Sequence, residues 1–349
     1  MWALVNVLIT VGMLVVVPTG LRLLAFGAPL EGQRPSPEPG GASEIARSRH
    51  GSAGAAWSGR GAFERARSSC AVWGGGAGGR GWLRGGGVVL RAWPFAATAG
   101  AVSLWLPRGP ASTGLASVYA FAAALLATQA LRPARAWRKP AGQAAGRRPS
   151  GRLVWREQVA LATAFVSPAI AAGSLVAERA GYRLFGFELG VLTLTVAHFH
   201  FAGFAAALIA GLHRRLAPGR LADAAVLTVP GGTLLVLAGY FTSEFVELAG
   251  ALVLTAGMWA MGWSTWRHAR TRVADRLTAT LLAVSALVLA ASMVLAVSWA
   301  LGEATGIPHP SLAWMAATHG VANALGFAVC GLAAYTRLRV AAEPAFARS

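Results

Sequence analysis

Apolar residues fall along this chain in long runs separated by short polar segments, and no two-residue alternation of the kind a half-buried strand needs interrupts them. The runs are Trp2 to about Leu21, Trp93 to Leu106, Thr113 to Leu131, Gln158 to Ala177, Phe187 to Leu212, Ala224 to Tyr240, Phe245 to Trp266, Leu277 to Leu301 and Leu312 to Tyr335. About 20 apolar residues make a helix that crosses the hydrocarbon core of a bilayer. The run at Trp93 is the shortest; the others reach or approach that length. The pattern predicts an all-α, polytopic transmembrane helical bundle of about nine spans. Pro168 and the Pro230-Gly231-Gly232 sequence lie inside runs and read as kinks or breaks, whose freed backbone groups neighbouring helices satisfy.

The polar stretches divide the chain. Residues 1–26 hold a first span with no basic residue before it and no small-residue cleavage pattern after it, which predicts a retained helix. Residues 27–88 are rich in Gly, Arg and Ser, with tracts such as Gly74-Gly75-Gly76-Ala77-Gly78-Gly79 that cannot bury a core. That segment predicts disorder, and its abrupt change of composition fits an insertion or an out-of-frame stretch. Residues 89–339 form the transmembrane helical domain, and 340–349 a cytoplasmic tail.

Composition supports the membrane class. Hydrophobic residues make up 55% of the chain and charged residues 13%, a balance foreign to ordinary soluble domains. The net charge of +18 raises nucleic acid as a partner, but the arginines sit between apolar runs without interleaved aromatics, so orientation in a membrane explains them better. Segments after spans one, three, five, seven and nine carry 28 of the 31 Lys and Arg residues, leaving only Arg108, Arg179 and Arg183 on the other side. Basic loops stay in the cytoplasm, so the amino terminus is predicted outside and the carboxyl terminus inside the cytoplasmic membrane of a bacterium. Two cysteines, Cys70 and Cys330, supply neither a disulfide framework nor a thiolate zinc site. No phosphate-binding Gly loop, nucleophile elbow or zinc-protease signature occurs, which argues against a soluble-type enzyme.

Candidate chemistry lies in Thr193-Leu194-Thr195-Val196-Ala197-His198-Phe199-His200-Phe201-Ala202-Gly203-Phe204. His198 and His200 fall roughly 15 to 20 Å below the outer surface at 1.5 Å per residue, and His319 of the ninth span about 10 Å below the same surface. Ionisable groups at such depth face the protein interior and mark candidate sites. Two positions apart, His198 and His200 point about 200° from each other and address different neighbours. His319, Asn323, Gly326 and Cys330 share one helical face; His200, Gly203, Ala207 and Gly211 form a small-residue stripe; His198 shares its face with Thr195. His213 and His268 read as anchors at the cytoplasmic interface, Glu244 and Glu247 as carboxylates at the outer one. Asn6 and Gln129 read as interhelical hydrogen-bonding groups.

The fifth span with its lead-in, Arg179-Ala180-Gly181 through Gly186-Phe187 to the histidine core, resembles the YndJ-like family of bacterial membrane proteins. The ninth span, with Ile307-Pro308, Trp314-Met315, Thr318-His319-Gly320 and Asn323-Ala324-Leu325-Gly326-Phe327, is similar to the same family, to which a transporter label is sometimes attached. Val196-Ala197-His198-Phe199-His200-Phe201 is also similar to the stretch of haem-copper oxidase subunit I in which two histidines on opposite faces ligate two haems. That resemblance implies haem ligation by His198 and His200, but the copper-site pattern is missing: Ser311 follows His309-Pro310, and no His-His pair exists.

Three functions remain open. His198, His200 and His319 bind a haem or metal ion in a sensing or electron-relay role, with Thr195, Gly203, Asn323, Gly326 and Cys330 lining the site. Alternatively the same histidines are the protonatable site of a small-molecule or ion transporter, or they are hydrogen-bonding groups in a structural assembly protein. The lipid bilayer is the one partner the sequence implies.

Overall fold

The computed structural model describes residues 1–25, 79–130 and 151–346. Most of the low-complexity segment, including His50 and Cys70, lies outside them. The described residues contain helices and no strand. In chain order the long helices are α1 (Trp2–Leu24), α2 (Gly79–Ser103), α3 (Pro110–Ala130), α4 (Gly151–Arg179), α5 (Leu189–Leu216), α6 (Arg220–Thr242), α7 (Glu244–Arg272), α8 (Arg276–Thr305) and α9 (Leu312–Arg339). Eight are long and apolar enough to cross a membrane; the apolar stretch of α2, Val88–Ser103, is shorter. Helix α2 begins at Gly79, ahead of the boundary expected at 88, and the helical backbone of α9 runs on to Phe346, into the expected tail.

Local sequence sets the helix ends. Ser243, Asp275 and Ser311 precede α7, α8 and α9, and each side chain accepts from a backbone N–H in the first turn, satisfying donors the helix cannot. Gly306 closes α8 in the left-handed conformation (φ 73°), which suits a residue without Cβ. The break expected at Pro230-Gly231-Gly232 is absent: α6 is helical throughout, as α4 is through Pro168. Helix α7 covers the site of the expected break, because a Cβ on Gly232 would press into the backbone of Leu254, and Gly239, Gly250 and Gly257 make equally close approaches across the α6–α7 seam. Small residues let two backbones approach where no hydrophobic force draws helices together in lipid.

Helices α1, α5, α7 and α9 each contain wider turns of the i→i+5 type, at Gly12–Val16, Phe199–Ala205, Thr265–Ala269, Ala316–Gly320 and Ala322–Val329. Such turns loosen the carbonyl ladder. In two of these four helices a neighbour donates to a carbonyl of the wide turn: Trp93 Nε1 to that of Met13 (3.2 Å) and Ser285 Oγ to that of Phe327 (3.2 Å).

Charged residues gather at the two ends of the bundle. At one end Glu178 holds Arg108 (2.9 Å) and Arg179, and the buried Arg179 guanidinium also donates to carbonyls of Ser103 and Leu106 at the end of α2. At the other, buried Arg214 bridges Glu157 (2.6 Å) and Asp223 (2.5 Å), while Arg337 binds Asp275 at 2.9 Å. Between the ends the outside is apolar, with Phe95 80%, Phe121 69% and Leu287 56% exposed, as a surface bathed in lipid would be.

Candidate functional site

His198 and His200 leave α5 into different surroundings. His200 is fully buried against Gly12 of α1, where a Cβ would lie 2.8 Å from the His200 Cβ. Its Nδ1 donates to the Val196 carbonyl (2.6 Å), which leaves Nε2 to accept from the Tyr119 hydroxyl (2.6 Å) of α3. Tyr119 in turn meets the edge of Trp93, centroids 5.7 Å apart. Both imidazole nitrogens are therefore satisfied, and the ring has no nitrogen to offer a ligand.

His198 faces a cavity of about 480 Å³ enclosed by α1 and α4 through α9. Its side chain is exposed although it sits nine residues into a 28-residue helix, because the accessible surface belongs to the cavity. No hydrogen bond to it occurs among the described residues. His319 lines the same cavity with Asn323, near His198. His319 Nδ1 donates to the Ser292 carbonyl (2.8 Å), so Nε2 is the acceptor. The Asn323 amide nitrogen lies 3.3 and 3.2 Å from the two ring nitrogens and 2.9 Å from the His319 carbonyl, a near-equidistant position over the ring face, and the Asn323 oxygen accepts from Ser292 Oγ at 2.9 Å. The in-plane lone pair of His319 Nε2 stays available to the cavity.

The remaining wall is mostly apolar. Phe185, Phe187, Tyr240, Phe241 and Trp299 surround the end near the α4–α5 and α6–α7 connections, and Met258, Met293, Phe201 and Phe327 form the deep part. Glu247 is the one carboxylate in the lining, and no Lys or Arg lines it.

Of the residues expected at the site, His198, His319, Thr195 and Asn323 come together; His200, Gly203, Gly326 and Cys330 do not line the cavity. Gly203 packs on Ser167 of α4 and Gly326 on Val288 of α8. The wide turns in α5 and α9 explain the drift: each residue rotates less than in an α-helix, so a face projected at i+7 or i+11 falls behind. Glu247, read from the sequence as an interface carboxylate, belongs to the cavity, as does Trp299. His213, read as an interface anchor, is buried, with Nδ1 3.2 Å from Thr265 Oγ1. Asn6 does bond across helices, donating to the Leu104 carbonyl at 3.1 Å, whereas Gln129 donates within its own helix. Among the described residues no three His, Cys, Asp or Glu side chains cluster as a metal site would require.

No curated protein and no solved structure matches the chain. A family model described as YndJ-like protein matches residues 82–327, a range that contains His198, His319 and Asn323 and covers more than half of the 349 residues. The chain belongs to the YndJ-like family.

Proposed function

We propose that this chain is a multi-pass protein of a bacterial cytoplasmic membrane that binds a small molecule in the His198–His319 cavity, as the substrate site of a transporter. The observation that carries the reading is the presence of two imidazoles, from α5 and α9, in the lining of one cavity of about 480 Å³. That volume is within the range of small-ligand sites, and the ratio of many apolar to few polar groups is typical of them. The proposed topology has nine crossings, outside at the amino terminus. It is supported by the antiparallel course of α1 and α2: Asn6 meets Leu104, at the far end of α2 from Gly79, while Met13 meets Trp93. At 25 residues α2 is about 37 Å long, enough to cross with its neighbours. The cavity then opens at the outer end.

The haem reading has one observation in its favour, the two imidazoles with nitrogens available to the cavity. Against it, two propionates would enter a lining whose one full charge is the carboxylate of Glu247. Two imidazoles without a third ligand also fit poorly with a structural metal. The arrangement at His200 matches the third expectation, a hydrogen-bonding group between helices.

The test is saturable binding of the neutral fluorophore N-phenyl-1-naphthylamine to the purified protein in nanodiscs, corrected for empty discs. We expect one site per chain, weakened at least tenfold by Thr195→Trp, which fills the cavity, and about threefold or more by His198→Ala, consistent with the ~1 kcal/mol of a typical hydrogen bond. A signal that never saturates, or one unmoved by Thr195→Trp, refutes the reading. A Soret band in the purified protein would restore the haem alternative.

A further inference from the structure

Several polar groups of the cavity offer acceptors. Thr195 Oγ1 donates to the Val191 carbonyl (2.9 Å) and Thr233 Oγ1 to that of Val229 (2.9 Å), so each hydroxyl has spent its proton and presents lone pairs. His319 has spent its N–H on Ser292 in the same way. With the Glu247 carboxyl at the aromatic end, four groups on four helices present acceptors beside the donor-capable His198, Asn323, Tyr240 and Trp299; among the described residues no Lys or Arg lines the wall, so Glu247 carries its one full charge.

We infer that the cavity selects a lipophilic amine: a cationic hydrogen-bond donor on an apolar body. This deepens the proposed function and rests on it. An ammonium placed by Glu247 gains a charge-assisted hydrogen bond. Tyr240 and Trp299 line the same cavity, and a ring face turned toward the ammonium would add cation–π attraction. The bound pair holds one titratable proton, so an ammonium that meets a protonated carboxyl releases one proton to water as it binds. A carboxylate ligand meets the opposite situation, since it would bring a second anion toward Glu247 with no Lys or Arg among the described lining residues to offset it. Glu247 lies in the first turn of α7, where the helix N-terminus alone favours an acid. That rationale does not extend to Glu303, near the end of α8, where the helix terminus disfavours negative charge. Glu303 is held instead by His309 at 3.2 Å and interacts with Glu247 through space, so the cavity's outer end is acidic beyond what helix ends call for.

The experiment compares three probes with one body, 4-phenylbutylamine, 4-phenylbutan-1-ol and 4-phenylbutyrate, by displacement of N-phenyl-1-naphthylamine from the protein in nanodiscs at pH 7. The expected order is amine tightest, alcohol at least tenfold weaker, and acid without measurable displacement. Glu247→Gln should weaken the amine at least tenfold and the alcohol less than threefold, with an unchanged melting temperature reporting that the variant is folded. Equal displacement by amine and alcohol, displacement by the acid, or an amine preference that survives in Glu247→Gln would each overturn the inference while leaving a small-molecule site in place. If none of the probes displaces the fluorophore, the inference falls with them; if the fluorophore itself does not bind saturably, it is the proposed function that has failed.

Discussion

A helix turns each residue by about 100°, so two histidines flanking one phenylalanine must leave it on opposite sides, and the neighbours on each side decide what each ring can do. On the α1–α3 side His200 finds a glycine, a tyrosine hydroxyl and its own helix's carbonyl. Tyr119→Phe leaves Nε2 without a donor at a site with no exposed surface, and the expected loss of stability is about 1–3 kcal/mol. The accompanying change His200→Leu removes the orphaned acceptor, so the double variant should lose about 1 kcal/mol less than the two singles added together. Urea or SDS unfolding of all four proteins closes that cycle, and strict additivity would show that the pair does not interact. The sequence predicts the divergence of the two rings, because rotation per residue is a local property. It does not say which ring meets the cavity, since Tyr119 lies 81 residues away and nothing in its surroundings in the chain marks it as a partner.

Elements meet through glycines spaced by seven. Gly232 and Gly239 of α6 face Gly250 and Gly257 of α7, and this spacing was readable in the chain, although the Pro230-Gly231-Gly232 triplet draws attention to a break that does not form. The two neighbouring glycines of that triplet differ sharply: a Cβ on Gly232 collides with the Leu254 backbone, whereas one on Gly231 meets nothing within 4 Å. Gly232→Ala should therefore cost about 1–3 kcal/mol through overpacking, and Gly231→Ala should be neutral or stabilise by up to about 1 kcal/mol through helix propensity. Equal melting temperatures for the two variants would contradict the close α6–α7 seam. The start of α8 supplies a pH-dependent contact of the same kind between elements. Hydrogen bonds from the Thr278 side chain, the Arg337 guanidinium of α9 and the Thr278 backbone hold the Asp275 carboxyl down to about 2. A depressed carboxyl adds stability that is complete above its unfolded value of about 3.9 and disappears as pH falls through about 2. Thermal melts between pH 5 and pH 2 should lose more stability in the wild type than in Asp275→Asn, and parallel curves would mean the contact contributes nothing. The wide turns in α5 and α9 were not legible in advance. An i→i+5 turn has no side-chain signature, and its loosened carbonyl is satisfied by a residue from another helix, as Ser285 does for Phe327.

At the scale of the molecule, orientation follows from how charge is spent at each end. Each of the three arginines assigned to the outer side faces an acid: Arg108 and Arg179 share Glu178, and Arg183 meets Glu188. Among the described residues the other end holds Arg214 and Arg337, and in the proposed topology it is the side on which the sequence's basic excess would stay in the cytoplasm. The cavity mouth, bordered by Phe185 and Phe241, shares the end occupied by Arg108 and Arg183, so the topology also decides from which side a ligand enters. In a background with Cys70→Ala and Cys330→Ala, single cysteines at Tyr182, which is 63% exposed, and Ile307, 46% exposed, should react in intact cells with a membrane-impermeant maleimide. Cysteines at exposed Gly219 and Ala274 should react only after permeabilisation. Labelling of the second pair in intact cells with protection of the first inverts the protein, placing the cavity mouth and Glu247 in the cytoplasm. Reaction of all four on the same side would instead mean that α5 through α9 do not alternate across the bilayer, and a cavity enclosed by those helices could not then connect one face of the membrane to its interior.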